Sequence, residues 1–456
     1  MDLEKNLTKG SVFRSVIEFS LPYLFAYFLQ TLYGMADLFI IGQFNGVDST
    51  SAVSIGSQVM HMLTVVIVGL AMGTTVMIGH AIGAGNRKQA SKAVGNTISL
   101  FMAVAVFFMI LLLLFTRPIV AAMSTPAEAV SGTVAYLTIC FIGIPFVTAY
   151  NIISAIFRGM GDSKSPMCFI AIACVVNILL DYVLIGIFHM GPAGAALGTT
   201  LSQTLSVIVA LSVIRKQEGG LRLSFSDLKP EKEVMGNLLK VGVPVALQDG
   251  FIQIAFLVIT VIANRRGLDD AAAVGVVEKI IGILFLVPSS MLSTVSALSA
   301  QNIGAGKYKR ARQALGYASA IAVIFGVLSV IAMQCFGEEA VGIFTRDTRV
   351  IELGGQYMRS YVWDCIPAGI HFCFSGYFCA CGLSGVSFVH NFLSIVCARI
   401  PIAYLTSIRY PHTLYPMGFA SPAGSALSVC ICIGVFLWMR SHADRYECMG
   451  DAGTKE

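Results

Sequence analysis

The chain repeats itself. Ile82-Gly83-Ala84-Gly85 returns 221 residues later as Ile303-Gly304-Ala305-Gly306. Each copy runs into a basic stretch and a new apolar segment, Asn86-Arg87-Lys88-Gln89-Ala90 in one and Lys307-Tyr308-Lys309-Arg310-Ala311 in the other. At the same offset of 221, Ala52-Val53 answers Ala273-Val274, Tyr136 answers Tyr357, and Gly161 and Ser163 answer Gly382 and Ser384. Pro192-Ala193-Gly194 recurs as Pro422-Ala423-Gly424 at an offset of 230, so the second copy carries an insertion of about nine residues. A long-period repeat of this kind implies two like halves, which in a membrane chain most often move against each other around a central site.

That the halves are membranous follows from composition. Of 456 residues 56% are apolar and only 12% charged, with a mean hydropathy of +0.79. Charge stands at half the soluble norm of about 25%. Apolar runs of about 20 residues, enough to cross about 30 Å of hydrocarbon, recur along the whole length. Met1 to Lys9 is polar and the first apolar stretch runs on too far for a cleavable signal. The twelve cysteines form no CxxC pair, and Cys174, Cys373, Cys397 and Cys430 fall inside apolar runs as small packing residues.

Hydropathy predicts twelve helices, at 16–42, 51–79, 93–116, 130–157, 167–188, 193–214, 236–263, 271–298, 313–336, 351–379, 387–407 and 418–439. With the N-terminus placed in the cytoplasm, 21 of the 30 Lys and Arg fall in inner segments and 6 in outer loops. That bias puts both termini inside. Six spans per half is an even number, so the halves share one orientation. The expected fold is an all-α integral membrane protein of twelve transmembrane helices, in two six-helix bundles related by a pseudo-two-fold axis along the membrane normal. The domain plan is 1–214 for the first half, 215–235 for a cytoplasmic linker with Gly219-Gly220, 236–440 for the second half and 441–456 for a cytoplasmic tail. The two IGAG segments read as tight turns after spans two and eight. No Lys-Ser or Lys-Thr follows them to make a phosphate loop.

Ionisable groups at membrane depth cost roughly 2.5–3.5 kcal/mol each on insertion scales, so each needs a reason. Away from helix ends the chain has Asp37, Asp181, Asp249, Glu278, Lys279, Asp364 and Arg399. Counted from the outer helix ends, Asp37 lies roughly 8 Å deep, Asp181 roughly 10 Å and Thr199 roughly 9 Å. Asn177 shares a helix face with Asp181, four residues on. These four offer hard oxygen ligands of the type that suits Na+, and the acids can take a proton instead. The alternative is helix-to-helix glue, for which two aspartates with no Lys or Arg partner in the same half are poorly suited, since like charges repel. The second half differs. Arg399 falls beside the counterpart of Asn177, where a guanidinium repels a metal cation. Glu278, Lys279, Asp364 and Arg399 are therefore read as structural charge. Gln248 and Asp249, in mid-span seven, are candidates to meet a cationic substrate in the cavity.

Two six-span halves, Pro22 and Asp37 in the first helix, IGAG after the second, and Asn177-x3-Asp181 in the fifth resemble the multidrug and toxic compound extrusion (MATE) antiporters of bacterial type. The resemblance covers the chain from about Thr8 to Arg440. It implies a V-shaped pair of bundles that exports organic, often cationic, compounds in exchange for Na+ or H+. In the branch with its cation site in the N-terminal half, the family's residues fall on Asp37, Asn177, Asp181 and Thr199. Pro22 falls where that family bends its first helix. Gln30 and Asn151 fall near its drug cavity, and Tyr33 is assigned with them. Asp249 and Asp364 do not sit clearly at the carboxylate positions that other members have in spans seven and ten.

The expected function is secondary antiport by rocking of the halves, in the plasma membrane, by a monomer. Its partners are small organic cations and drugs and the lipid bilayer, without nucleic acid. It needs no cofactor beyond Na+ or H+ as coupling ion. A lipid-linked saccharide flippase of related architecture is the alternative, but it usually needs a cationic cavity, for which only Arg399 and Lys279 are on offer. An enzyme is not expected, because His61, His80, His371 and His390 are scattered and no HExxH appears.

Overall fold

The computed structural model describes residues 6–216 and 224–442, and every regular element in it is a helix. Gly219-Gly220 and the tail from 443 on lie outside the described residues. All twelve expected spans are present. The first six are Val12–Phe44, Val47–Gly83, Arg87–Ala122, Val130–Gly159, Lys164–Asp181 continued by a π-helical segment Tyr182–Ile187, and Gly191–Lys216. The seventh is Lys232–Asn264, the eighth Leu268–Leu284 with Leu286–Gly304, and the ninth Tyr308–Gly342. The tenth is Thr348–Tyr361, a 3₁₀ turn Val362–Asp364 and Cys365–Ala380. The eleventh is Ser384–Ser394, a π-helical segment Ile395–Arg399 and Ile400–Arg409, and the twelfth is Tyr415–Gly418 with Ala420–Ser441. Most helices outrun the apolar windows that revealed them. Span three, at 36 residues, is roughly 54 Å long, against about 30 Å of hydrocarbon.

The interruptions have a common cause. Proline has no N–H to give to the carbonyl four residues back, and its ring crowds that carbonyl. Pro288, Pro367, Pro401 and Pro422 each sit two or three residues after a place where the helix changes: the break at Phe285, the 3₁₀ turn ending at Asp364, the π segment ending at Arg399 and the break at Phe419. Eleven of the described helices are long and apolar enough to cross a membrane, and the divided tenth span is the one that falls short.

The repeat is visible in the backbone. Gly85 and Gly306 take φ of +70° and +71°, and Gly161 and Gly382 take +90° and +72°. Each closes its helix in the same way. Asn86 N–H donates to Ala81 O at 2.9 Å and Lys307 N–H to Asn302 O at 2.7 Å, six-to-one bonds around a left-handed residue. The IGAG motif is thus a helix stop that spends its N–H groups on the helix it ends. Packing repeats too: spans two, three and six pack on span four, and spans eight, nine and twelve pack on span ten.

The chain forms two compact units, one of Phe25–Gly242 and the other of Leu7–Leu24 with the chain from Val243 on. Relative to the repeat, each half's first helix gives its opening turns to the other unit, and the changeovers lie beside Pro22 and Pro244. Hydrogen bonds anchor both opening segments. In the second unit, Arg310 donates to Gly10 O at 2.8 Å and Lys307 to Thr8 O at 2.9 Å. In the first unit, Ser99 donates to Leu228 O at 2.7 Å and Lys92 pairs with Glu231 at 2.6 Å. The first unit is built on two apolar clusters, one around Phe157, Phe169 and Ile78 and one around Phe141, Leu137 and Ile41. The second is built around Tyr357, Tyr361 and Val277.

Candidate cation site

In the first unit, spans one, five and six bring Asp37, Asn177, Asp181 and Thr199 together. Asn177 and Asp181 are one helical turn apart, 1% and 0% exposed, and Asp37 is 4% exposed. Thr199 Oγ1 donates to Asp37 Oδ2 at 3.1 Å. Asn177 and Asp181 lie beside Asp37, within hydrogen-bonding reach of its carboxylate. Neither makes a hydrogen bond of normal geometry: Asp181 Oδ1 and Oδ2, Asn177 Oδ1 and Nδ2, and Asp37 Oδ1 are all buried without a partner. Among the described ion pairs none includes Asp37 or Asp181.

The physical cost of this arrangement is large. A buried, unpaired ion is worth several kcal/mol against the fold, and each unmade hydrogen bond about 1–3 kcal/mol. Helix glue would satisfy these atoms with well-formed hydrogen bonds, and here Asn177 and Asp181 lie against Asp37 without one of normal geometry. The donor set instead suits a hard cation or a proton: carboxylate, amide and hydroxyl oxygens converge with excess negative charge. Tyr136, 2% exposed and on span four, lies within electrostatic range of Asp37 as well. Sequence reading found Tyr136 only through its repeat partner Tyr357. It missed Gly198, whose missing side chain leaves room for the Asp181 carboxylate: a Cβ there would collide with Asp181 Oδ1.

The other expected residues are more dispersed. Tyr33 is one turn from Asp37 on span one and interacts with Gln30. Asn151 is buried and gives its amide to the Val147 carbonyl of its own helix at 2.8 Å. Gln248 is 3% exposed with Oε1 unpartnered, and Asp249 is half-buried beside it in the second unit. Asp249 lies in electrostatic range of Cys379 on span ten. Asp364, fifteen residues up the same span, is roughly 22 Å away from there. The two acids do not converge on one site. Pro22 is buried, and the helix Val12–Phe44 continues through it.

The second half's charges form a different centre. Arg399 Nε donates to Ser421 Oγ at 2.8 Å and Nη2 to Tyr361 OH at 2.9 Å, with Asp364 Oδ2 at 3.9 Å and the Phe256 ring centroid at 4.9 Å. A cavity of about 50 Å³, lined by Asp364, Arg399, His371, Asn391 and Ser425 among others, adjoins it. That is room for a few waters at most. Glu278 lies near Arg399 and keeps Oε1 without a hydrogen bond. Lys279 corrects the expectation: it is exposed and enters none of the described ion pairs, because adjacent helix positions point about 100° apart and Glu278 takes the inward one.

Twelve spans in two like halves, with a buried carboxylate pair inside one of them, define an internally duplicated, multi-pass membrane transporter. Comparison with known proteins agrees. The sequence profile of the MatE family matches residues 22–183 and again 244–405, so the family pattern itself occurs twice, and the chain belongs to that family. It is 26% identical over 447 residues to the probable multidrug resistance protein YoeA of Bacillus subtilis (strain 168), covering 96% of each chain. It is 26% identical over 376 residues to the multidrug export protein MepA of Staphylococcus aureus (strain MSSA476), covering 82% of this chain and 83% of that one. The solved outward-facing conformation of a multidrug resistance MATE family transporter of the MOP superfamily shares the fold with a TM-score of 0.89 at 21% identity. That match covers 97% of this chain and 98% of the other.

Proposed function

We propose that the protein is a secondary antiporter that exports organic, often cationic, compounds in exchange for Na+ or H+ bound among Asp37, Asn177, Asp181 and Thr199. The observation that carries the reading is the set of five buried polar atoms on Asp37, Asn177 and Asp181 that lack a hydrogen bond of normal geometry, with no basic side chain paired to either acid among the described residues. A cation taken up there removes the charge excess, and its release restores it. The names of the relatives YoeA and MepA support drug-like cargo. Gln30, Tyr33 and Asn151 in one unit, and Gln248 and Asp249 in the other, are the residues assigned to cargo, with Asp249 favouring cationic compounds by direct pairing.

Span one supplies the coupling. It carries Asp37, belongs to the first unit from Phe25 on, and is tied into the second unit up to Leu24. A cation that draws Asp37 toward Asp181 therefore pulls on a helix whose other end is held by Lys307 and Arg310. The driving force is adequate. For a neutral cargo, one charge crossing with the membrane potential contributes roughly 2.3 kcal/mol per 100 mV, which sustains about a fifty-fold gradient. A monovalent cationic cargo exchanged one for one moves no net charge and is driven by the concentration gradient of the coupling ion.

The test is efflux of a fluorescent cationic dye from proteoliposomes under separately imposed Na+ and pH gradients. At least one gradient is expected to drive dye against its own concentration. Dye movement that never exceeds passive leak under either gradient would contradict the antiport reading.

A further inference from the structure

Span six meets span five through glycines four residues apart. At Gly194 a Cβ would touch the π-helical segment of span five, 3.2 Å from both Leu184 C and Ile185 Cγ1. One turn on, at Gly198, it would strike Asp181 Oδ1 and stand 3.6 Å from Asn177 Nδ2. The small-residue face brings the two backbones together, as in other membrane helix pairs. Here the second glycine faces a carboxylate and an amide that make no hydrogen bond of normal geometry.

The second half supplies a natural comparison. At the offset of 230, Pro192-Ala193-Gly194 corresponds to Pro422-Ala423-Gly424, and Leu197 corresponds to Leu427. Gly424 keeps the same role: a Cβ there would meet Ser394 Oγ at 2.9 Å and Arg399 Cβ at 3.3 Å, at the π segment of span eleven. Gly198, however, corresponds to Ser428, and Thr199 to Val429. Ser428 is fully buried, with its Oγ 3.2 Å from His390 Nδ1 and donating to the His390 carbonyl at 3.2 Å. His390 Nε2 in turn lies 3.0 Å from Ser375 Oγ. Where the first half leaves space and partnerless oxygens, the second half has a side chain and closed hydrogen bonds.

We infer that Gly198 is the positioning residue of the cation site: its missing side chain sets where the Asp181 carboxylate lies, and so sets the affinity for the coupling cation. The inference rests on the proposed cation site and names the residue that shapes it. It also accounts for the asymmetry of the halves, since the residue that answers Gly198, Ser428, carries a hydroxyl bonded to a histidine where the first half has no side chain.

Gly198→Ala tests it, alone and combined with Asp181→Ala, with Asp181→Asn as control. In proteoliposomes, external Na+ is titrated at fixed pH, and external pH is titrated without Na+, against dye efflux. Gly198→Ala is expected to raise the half-saturating concentration of the driving cation at least ten-fold, with the rate at saturating cation within two-fold of the parent. A merely structural role would lower the rate at every concentration. In detergent, Gly198→Ala is expected to lower the melting temperature, and most of that loss should vanish in the Asp181→Ala background, where the collision is absent. If Gly198→Ala alone yields no folded protein, recovery in the double variant supports the inference and failure there overturns it. An unchanged half-saturating concentration, or the same melting loss in both backgrounds, would also overturn it. Should Asp181→Asn retain gradient-driven efflux, the cation reading itself falls, and the melting comparison still decides whether Gly198 places Asp181.

Discussion

At Arg399 a buried guanidinium is divided among Ser421, Tyr361, Asp364 and the face of Phe256. Its donors are engaged at 2.8 and 2.9 Å by hydroxyls, so its charge serves the neighbouring acids Asp364 and Glu278 at longer range. Removing it leaves those carboxylates buried without a counter-charge. Arg399→Ala is therefore expected to destabilise the protein by about 3 kcal/mol, the lower end for breaking a buried pair, because the closest approach is 3.9 Å. Thermal unfolding in detergent checks this, and normal stability with lost transport would assign Arg399 to coupling instead. The same scale shows what sequence alone can reach. Asp37, Asn177, Asp181 and Thr199 were legible because acids and amides in apolar runs are conspicuous, and depth arithmetic matched them across helices. Gly198 was not, since its contribution is an absent side chain. Lys279 misled because a charge in a hydrophobic run says nothing of helix phase until the neighbours are known.

Among the elements, the helix stops make the clearest case. Gly306 holds φ at +71°, where an L side chain costs roughly 1–2 kcal/mol, whereas Gly316 lies in span nine with nothing within 4 Å of a Cβ. Gly306→Ala should destabilise by about that amount, and Gly316→Ala should be neutral or stabilising by up to about 1 kcal/mol. Paired melting curves decide it, and indistinguishable melting of the two variants would refute the turn's role. The repeated IGAG motif pointed to these turns from sequence, and glycine at the left-handed position is the reason the motif repeats. Helix breaks were less legible: Pro22, Pro118, Pro145 and Pro244 lie inside unbroken helices, while Pro288 and Pro367 accompany interruptions. Whether a helix absorbs a missing N–H depends on its packing neighbours, which lie far away in sequence.

For the whole molecule, hydropathy and the repeat were enough for twelve spans and two halves, because each span must satisfy its backbone internally and each half must bury its own faces. The exchange of opening segments at Pro22 and Pro244 was not readable, since bonds such as Arg310 to Gly10 join residues 300 apart and leave no local pattern. That exchange gives span one its place in the proposed cycle: an acid of the cation site at one end and an anchor in the other unit at its start. If this is how ion and cargo are linked, the acids must be needed for coupling and dispensable for folding, because Asp37 and Asp181 hold nothing together in an ion pair. The most direct measurement is dye efflux from proteoliposomes under the driving cation gradient for the parent, Asp37→Asn and Asp181→Asn at matched reconstitution and matched melting temperature. The account predicts at least a ten-fold loss of gradient-driven efflux in both variants, with folding retained. Efflux equal to the parent's in either one would contradict it.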